Sequence, residues 1–541
     1  MRRITIVALA VLFAVPGLLA QGPTAPAPRI AVTKRHRVVV EDAAAVGAGS
    51  AKLGVRAAAE TWDARQTAVI VCDMWNRHWC RGATARCGEL APRIDAFVRD
   101  ARRRGATIVH APSSCMKAYA GHPSRRRALE TPRAKEFPAK IGDWCHSIPA
   151  EEKGKYPLDQ SNGGCDCEPR CESFTAWERQ IDAIWIDDGP SDVISDSGEE
   201  IWSVFEARRI EHVFLVGVHT NMCVLGRPFG LRNLAQNGKD VVLVRDLTDT
   251  MYDRRAWPYV SHFRGNELIV EHIEKWVCPT VTSSDLLGGT RFRFRGDERK
   301  RVVIAIAEDE YETKQTLPVF AHEVLEDELG LDVTIVHGEA DDGPGRHRVP
   351  GLRAALEGAD LLFVSMRRRA LPATDLAVVR AHLAAGKALV GIRTASHAFD
   401  ARGDGPEGHA EWRDFDPLVL GGNYQGHHGS GPLTKVTAVA TAAGGDSAAA
   451  RNILAGVELP FSSVASLYKT RPLAASTTAL LEGTIPGEPS EPIAWTNRCG
   501  SAPVFYTSLG HVEDFANPAF RKLLANAVVW TLAARNAEVE R

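Results

Sequence analysis

The stretch Val213-Phe-Leu-Val-Gly217-Val-His-Thr220-Asn-Met-Cys223-Val224 decides how this chain folds. Residues 213–217 form an apolar run too short for a helix and closed by a glycine, the mark of a strand buried on both faces. Thr220 suits the cap of a following helix, which the spacing predicts over residues 221–237, ended by Gly238. A buried strand handed directly to a helix is one step of a parallel sheet, whose strands read as continuous apolar runs because helices cover both faces.

Working outward, the same rhythm recurs. Thr67-Ala-Val-Ile-Val-Cys72 is a strand closed by Asp73, residues 91–104 are a helix stopped by Gly105, and residues 107–110 are a second strand. Residues 183–186 predict a third strand, 198–209 a helix and 241–244 a further strand. A second series follows, with strands over 301–306, 331–336, 361–364 and 388–392 and helices over 315–329 and 373–385. No repeat relates the two series. The fold class is therefore α/β, as two different three-layer αβα domains, each with a mostly parallel sheet.

The 541 residues suit that count at roughly 150 per domain. A net charge of -2 and 24% charged residues leave no basic excess, so no nucleic-acid partner is expected. Arg2 and Arg3 precede an apolar run over residues 4–15 and a small Ala20, the pattern of a signal peptide over residues 1–20. The run is shorter than the ~20 residues that span a bilayer, so the expected location is secreted or periplasmic, with no membrane contact after cleavage. The expected organisation continues with a leader at 21–60, a first domain at 61–285 with an insertion at about 111–180, a charged linker at 286–300 and a second domain at 301–535. Of 11 cysteines, all but Cys499 precede residue 280. An exported chain permits disulfides, and these are expected to staple the insertion rather than Cys165-Asp-Cys167-Glu-Pro-Arg-Cys171 holding zinc.

Polar residues just after buried strands are the first places to seek chemistry, because ligands of open α/β sheets bind at the carboxyl ends of strands. Asp73 is one. Cys223 is the other, in the first turn of its helix, where the dipole favours a thiolate. A buried structural cysteine and a capping aspartate would read the same from spacing alone.

Val69-Ile-Val-Cys-Asp73-Met-Trp-Asn76, the block around Cys223 and Asn237-Gly-Lys-Asp-Val-Val-Leu-Val-Arg-Asp246 resemble the isochorismatase-like cysteine hydrolases. The resemblance implies Asp73 as general base and Cys223 as nucleophile. It also implies a cis peptide at Val218 and His219, and an oxyanion hole of backbone N–H groups around Met222 and Cys223. The implied activity is hydrolysis of a C–N bond in a small amide-like substrate, with no cofactor. The family's lysine after the third strand has no counterpart here, where Ile186-Asp187-Asp188-Gly189 stands. Either Arg179 or Lys117 supplies the cation from elsewhere, or the domain is catalytically altered. His78, with His122 or His146, is a candidate metal ligand, but the spacing leaves the metal unassigned.

In the second domain, residues 388–397, 420–429 and 506–513 set His397, His427, His428 and His511 beside glycine-rich turns, and residues 517–530 form an amphipathic closing helix. These features resemble the trehalose-utilisation (ThuA-like) family, a branch of the class I glutamine amidotransferase-like fold. That fold pairs a nucleophilic cysteine at a strand-to-helix elbow with a His-x-Glu. His511-Val-Glu513 resembles the latter, but the elbow at Gly391-Ile-Arg393 carries no cysteine. A cleft with His397, His427, His428, His511 and Glu513 and a sugar-like ligand is expected. The expectation from the sequence is a small-molecule substrate, with a homo-oligomer allowed but not demanded. The alternative is a catalytically degenerate first domain serving as a binding module.

Overall fold

The computed structural model describes residues 28–40, 52–340, 342–343, 345–403, 405–440 and 448–539. The expected signal peptide lies outside the described residues. Part of the expected leader does not: β1 (Arg29–Val40) and β2 (Lys52–Asp63) pair antiparallel along their length. Buried Trp62, at the end of β2, stacks on His212 at 4.5 Å and fixes this hairpin to the first sheet.

That sheet contains β3 (Thr67–Cys72), β4 (Thr107–Ala111), β5 (Asp192–Ile194), β6 (His212–Val218), β7 (Asp240–Asp249) and β8 (Thr280–Val281), in the order β2-β1-β8-β7-β6-β3-β4-β5. β3 to β8 run parallel and the hairpin antiparallel. Every residue of β3 is buried: Ala68, Ile70 and Cys72 enter the core on one face, Val69 and Val71 the core on the other. That is why the strand reads as an unbroken apolar run. Gly217 of β6 has φ +110°, and a Cβ there would lie 2.0 Å from the Cys72 carbonyl oxygen of β3, so only glycine lets the two strands approach at this level.

A second sheet holds β9 (Arg301–Ala307), β10 (Asp332–His337), β11 (Leu361–Met366), β13 (Ala388–Ile392), β15 (Thr434–Ala438), β16 (Phe461–Ser463), β17 (Thr478–Thr484), β18 (Glu491–Cys499) and β19 (Ala502–Thr507). Its order is β10-β9-β11-β13-β19-β18-β17-β15-β16, parallel through β19 and antiparallel beyond. The small pair β12 (Leu371–Pro372) and β14 (His409–Ala410) lies apart. The architecture is α/β, with two mostly parallel mixed sheets flanked by helices.

Three local expectations change. Residues 183–186 are not a strand: Ile184 is buried against the first helix, α1 (Arg81–Arg103), while exposed Trp185 lies under the Arg99 and Arg102 guanidinium groups. Those side chains pack sideways on α1, and β5 forms later. The helix expected over 221–237 is broken, with a wide turn at Thr220–Val224 and a helix at Leu231–Gln236. Pro228 cannot continue the ladder between them. The charged segment 286–300 also contributes core, because Phe294 is buried and stacks on Phe263 at 5.5 Å. The expected disulfides are absent, since all 11 cysteines are free thiols.

Candidate functional site

The register that sets Cys72 of β3 beside Gly217 of β6 brings both strand ends to one level. Asp73 and the turn bearing Cys223 leave from there as neighbours. Asp73 is fully buried in the left-handed region at φ +48°. Its Oδ1 accepts from the Ser113 N–H at 2.7 Å, and its Oδ2 from the Arg227 Nε at 2.9 Å. Cys223 is buried and hydrogen-bonded to the same carboxylate.

Arg227 is the cation of this site, and the sequence reading did not single it out. It lies four positions after Cys223, where the chain breaks at Pro228. A residue one helical turn beyond Cys223 was the available signal. Neither expected substitute reaches Asp73. Arg179 is exposed and paired with Asp182 at 2.8 Å, and Lys117 is exposed on a short turn.

Burial pushes the Cys223 thiol well up, and the Asp73 charge adds to that, against Arg227. Burial also raises Asp73 above the ordinary carboxylate range, while Arg227 and the Cys223 hydrogen bond oppose it. Both groups are therefore pushed toward their neutral forms, and the thiol is the weaker acid of the two.

The Val218–His219 peptide is cis, and the His219 backbone N–H donates to the Cys223 sulfur. Met222 N–H donates to the His219 carbonyl at 3.0 Å, so that expected oxyanion donor is engaged within the turn.

The site opens on a cavity of about 700 Å³. One wall is aromatic: Trp75 stacks on Trp177 at 4.5 Å, and His78 continues the stack at 5.8 Å. Elsewhere in the lining, buried Glu151 accepts from Arg232 Nε and Nη2, both at 2.7 Å, and lies 2.8 Å from His272 Nε2. Those partners outweigh burial and hold Glu151 at about 2. His78 is not brought together with His122 or His146 as a metal set. Its Nδ1 accepts from the Cys80 N–H, its ring packs on His219, and burial lowers it to about 4. His122 caps the short helix Pro123–Glu130, and His146 lies exposed at the cavity. Among the described residues, the groupings able to hold a metal are Cys80, Cys165 and Cys167, and Glu271, His322 and Asp327.

In the second domain the expected histidines separate. Arg393 occupies the elbow after β13 at φ +45°, almost fully buried. Its guanidinium lies over Tyr468 at 4.0 Å and Tyr311 at 4.7 Å. His397 joins this cluster by stacking on Tyr424 at 4.5 Å, and His511 by its edge contact with Tyr311 at 6.0 Å. Burial, helped by four arginines, lowers His397 to about 2. His427 is exposed and bridges to Tyr468 through backbone, whereas buried His428 pairs with Glu488 and Glu491. The Glu513 backbone N–H donates to His511 Nδ1 while its side chain is exposed, so the two do not form an acid–base pair.

Residues 299–531 match the ThuA family model, described as trehalose utilisation. No protein of curated function matches the chain. Similar solved structures include a ThuA-like protein from Bacteroides uniformis, at 14% identity over 44% of this chain and 94% of that one, with a TM-score of 0.33. They also include a cysteine hydrolase from Pseudomonas syringae pv. phaseolicola, at 15% identity over 42% of this chain and 92% of that one, TM-score 0.26. A third is an isochorismatase family protein from Burkholderia thailandensis, at 14% identity over 41% and 94%, TM-score 0.24.

Proposed function

We propose that the first domain hydrolyses a C–N bond of a small amide-like substrate through Cys223. The observation that carries this reading is the chain of contacts from Cys223 to Asp73 to Arg227 at the mouth of a cavity of about 700 Å³. A thiol, an ionised base and a cation that keeps the base ionised are the parts a thiol hydrolase needs.

In the proposed cycle the substrate carbonyl carbon meets the Cys223 sulfur and the thiol proton passes to Asp73. The carbon–sulfur bond forms, and the charge moves to the carbonyl oxygen, which the Cys223 N–H, the other expected donor, receives. Asp73 returns its proton to the leaving nitrogen as the C–N bond breaks, leaving a thioester and a free amine. Water, deprotonated by Asp73, then attacks the thioester, and the thiolate leaves with that proton. The Trp75 and Trp177 faces favour a flat or apolar substituent beside the amide.

A panel of small neutral nitriles and aldehydes tests this, with adducts located by peptide mass spectrometry. The expected result is modification at Cys223 alone, lost in Asp73→Asn although the thiol remains. Equal reaction rates in the two proteins would sink the reading.

A second reading rests on the Arg393, Tyr311, Tyr424 and Tyr468 cluster, whose aromatic faces and guanidinium suit a polyhydroxylated, sugar-like ligand. Trehalose is the first ligand to titrate, with loss of binding expected in Tyr424→Ala. Export is part of the same proposal, and N-terminal sequencing of the mature chain, expected to begin near Gln21, tests it.

A further inference from the structure

The free thiols of the insertion are not scattered. Cys80 precedes α1 directly, while Cys165, Cys167 and Cys171 lie on one segment of the insertion. The sulfurs of Cys80, Cys165 and Cys167 all lie within 4.8 Å of one another. Cys171 lies beside this group, packed against it and hydrogen-bonded to the thiols of Cys165 and Cys167. The Cys80 and Cys167 sulfurs are 3.8 Å apart. That is nearly twice a disulfide bond of about 2.05 Å. It equals the edge, about 3.8 Å, of a tetrahedron whose centre lies 2.3 Å from each sulfur, the zinc–thiolate distance.

The backbone around the group points N–H donors at the sulfurs. The first N–H groups of α1 are spent on it: Arg81 N–H donates to Cys171 at 3.5 Å, Gly82 N–H to Cys167 at 3.2 Å, and Ala83 N–H to Cys80. Cys165 in turn accepts from the N–H groups of Cys167 and Cys171. Gly82 leaves room for this approach, since a Cβ there would lie 2.7 Å from Asp166 Oδ1 and 3.5 Å from the Cys167 sulfur. A helix end and several amides thus face the sulfurs as hydrogen-bond donors, the partners that metal-bound thiolates keep.

We propose that Cys80, Cys165, Cys167 and Cys171 form a tetrathiolate site for a structural zinc ion. The four thiols give up their protons to solvent as the four zinc–sulfur bonds form. The site is closed, with no position for substrate, which is the structural rather than the catalytic zinc arrangement. Its work is positional. Trp79 and Met222 pack against the cluster and also line the cavity beside Cys223, so the ion fixes that wall. The proposal does not rest on the hydrolase reading.

The test is elemental analysis of the full-length chain purified under reducing conditions from zinc-containing medium, with cobalt substitution of the same protein. About one zinc per chain is expected, falling at least tenfold in a Cys165→Ser, Cys167→Ser double variant and unchanged in Cys499→Ser. Cobalt(II) added to the zinc-depleted native chain should give the thiolate-to-cobalt charge-transfer band and the intense visible bands of a tetrahedral site, a readout that stands if the double variant fails to fold. Native protein without zinc and without that band, or peptide mapping that shows a disulfide among these four cysteines, would overturn the proposal.

Discussion

At the scale of single residues, Arg227 sets a cation against Asp73 where the resemblance led one to expect a lysine. Its Nε holds Asp73 Oδ2 at 2.9 Å, and Asp73 is otherwise a buried carboxylate with one backbone donor. Removing one partner of a buried pair leaves an uncompensated charge at a cost of about 3–5 kcal/mol. Arg227→Gln should therefore lower stability by about that amount in denaturant melts and lower kcat/KM by at least about 100-fold. The pH dependence has a definite sign. Under the proposed mechanism Asp73 acts as a base, and burial has raised its pKa, so the rate should fall as pH drops through that raised value. Arg227 opposes the rise, so Arg227→Gln should move the acid limb of the rate profile to higher pH. A limb that stays in place would separate Arg227 from the chemistry.

At the scale of elements, two contacts decide whether the site assembles. Gly217→Ala puts a Cβ within 2.0 Å of the Cys72 carbonyl and a side chain at φ +110°. The β3–β6 pairing must then give way, and a loss of several kcal/mol, read as a lower melting temperature, is expected. Glu151 docks the insertion on the helices Leu231–Gln236 and His262–Trp276 through Arg232 and His272. Its folded pKa of about 2 lies below the ordinary 4.5, so its stabilisation is present above 4.5 and lost as pH falls toward 2. Acid titration of the fold should show that loss. Glu151→Gln should flatten it and sacrifice stability on the order of a few kcal/mol at neutral pH.

At the scale of the whole molecule, the segment between the sheets is a clamp. Phe292 and Phe294 pack on the first domain, while Arg291 and Arg293 pair with Asp332 at the start of β10 in the second sheet. Arg264 adds a pair with Asp327. The alternation that reads as a charged spacer is a two-sided strip, one side apolar and one side cationic. Asp332→Asn removes the shared carboxylate. Scanning calorimetry of that variant should separate one cooperative transition into two, and an unchanged single transition would show that the clamp does not couple the domains.

Legible in the residues alone were the α/β class, the buried strands β3, β6, β9, β11 and β13, and the placing of Asp73 and Cys223 just beyond strand ends. Those features are local: a run of apolar residues stops where burial stops, and the next polar residue marks the sheet edge. It took the folded chain to show that Arg227 rather than Arg179 faces Asp73, that residues 183–186 pack as a loop, and that Cys80 meets Cys165 and Cys167, more than eighty positions away. Charges and thiols act through space over a few ångströms. Which of them come that close is set by strand order, by the break at Pro228 and by the path of the insertion, and a linear pattern does not carry that information.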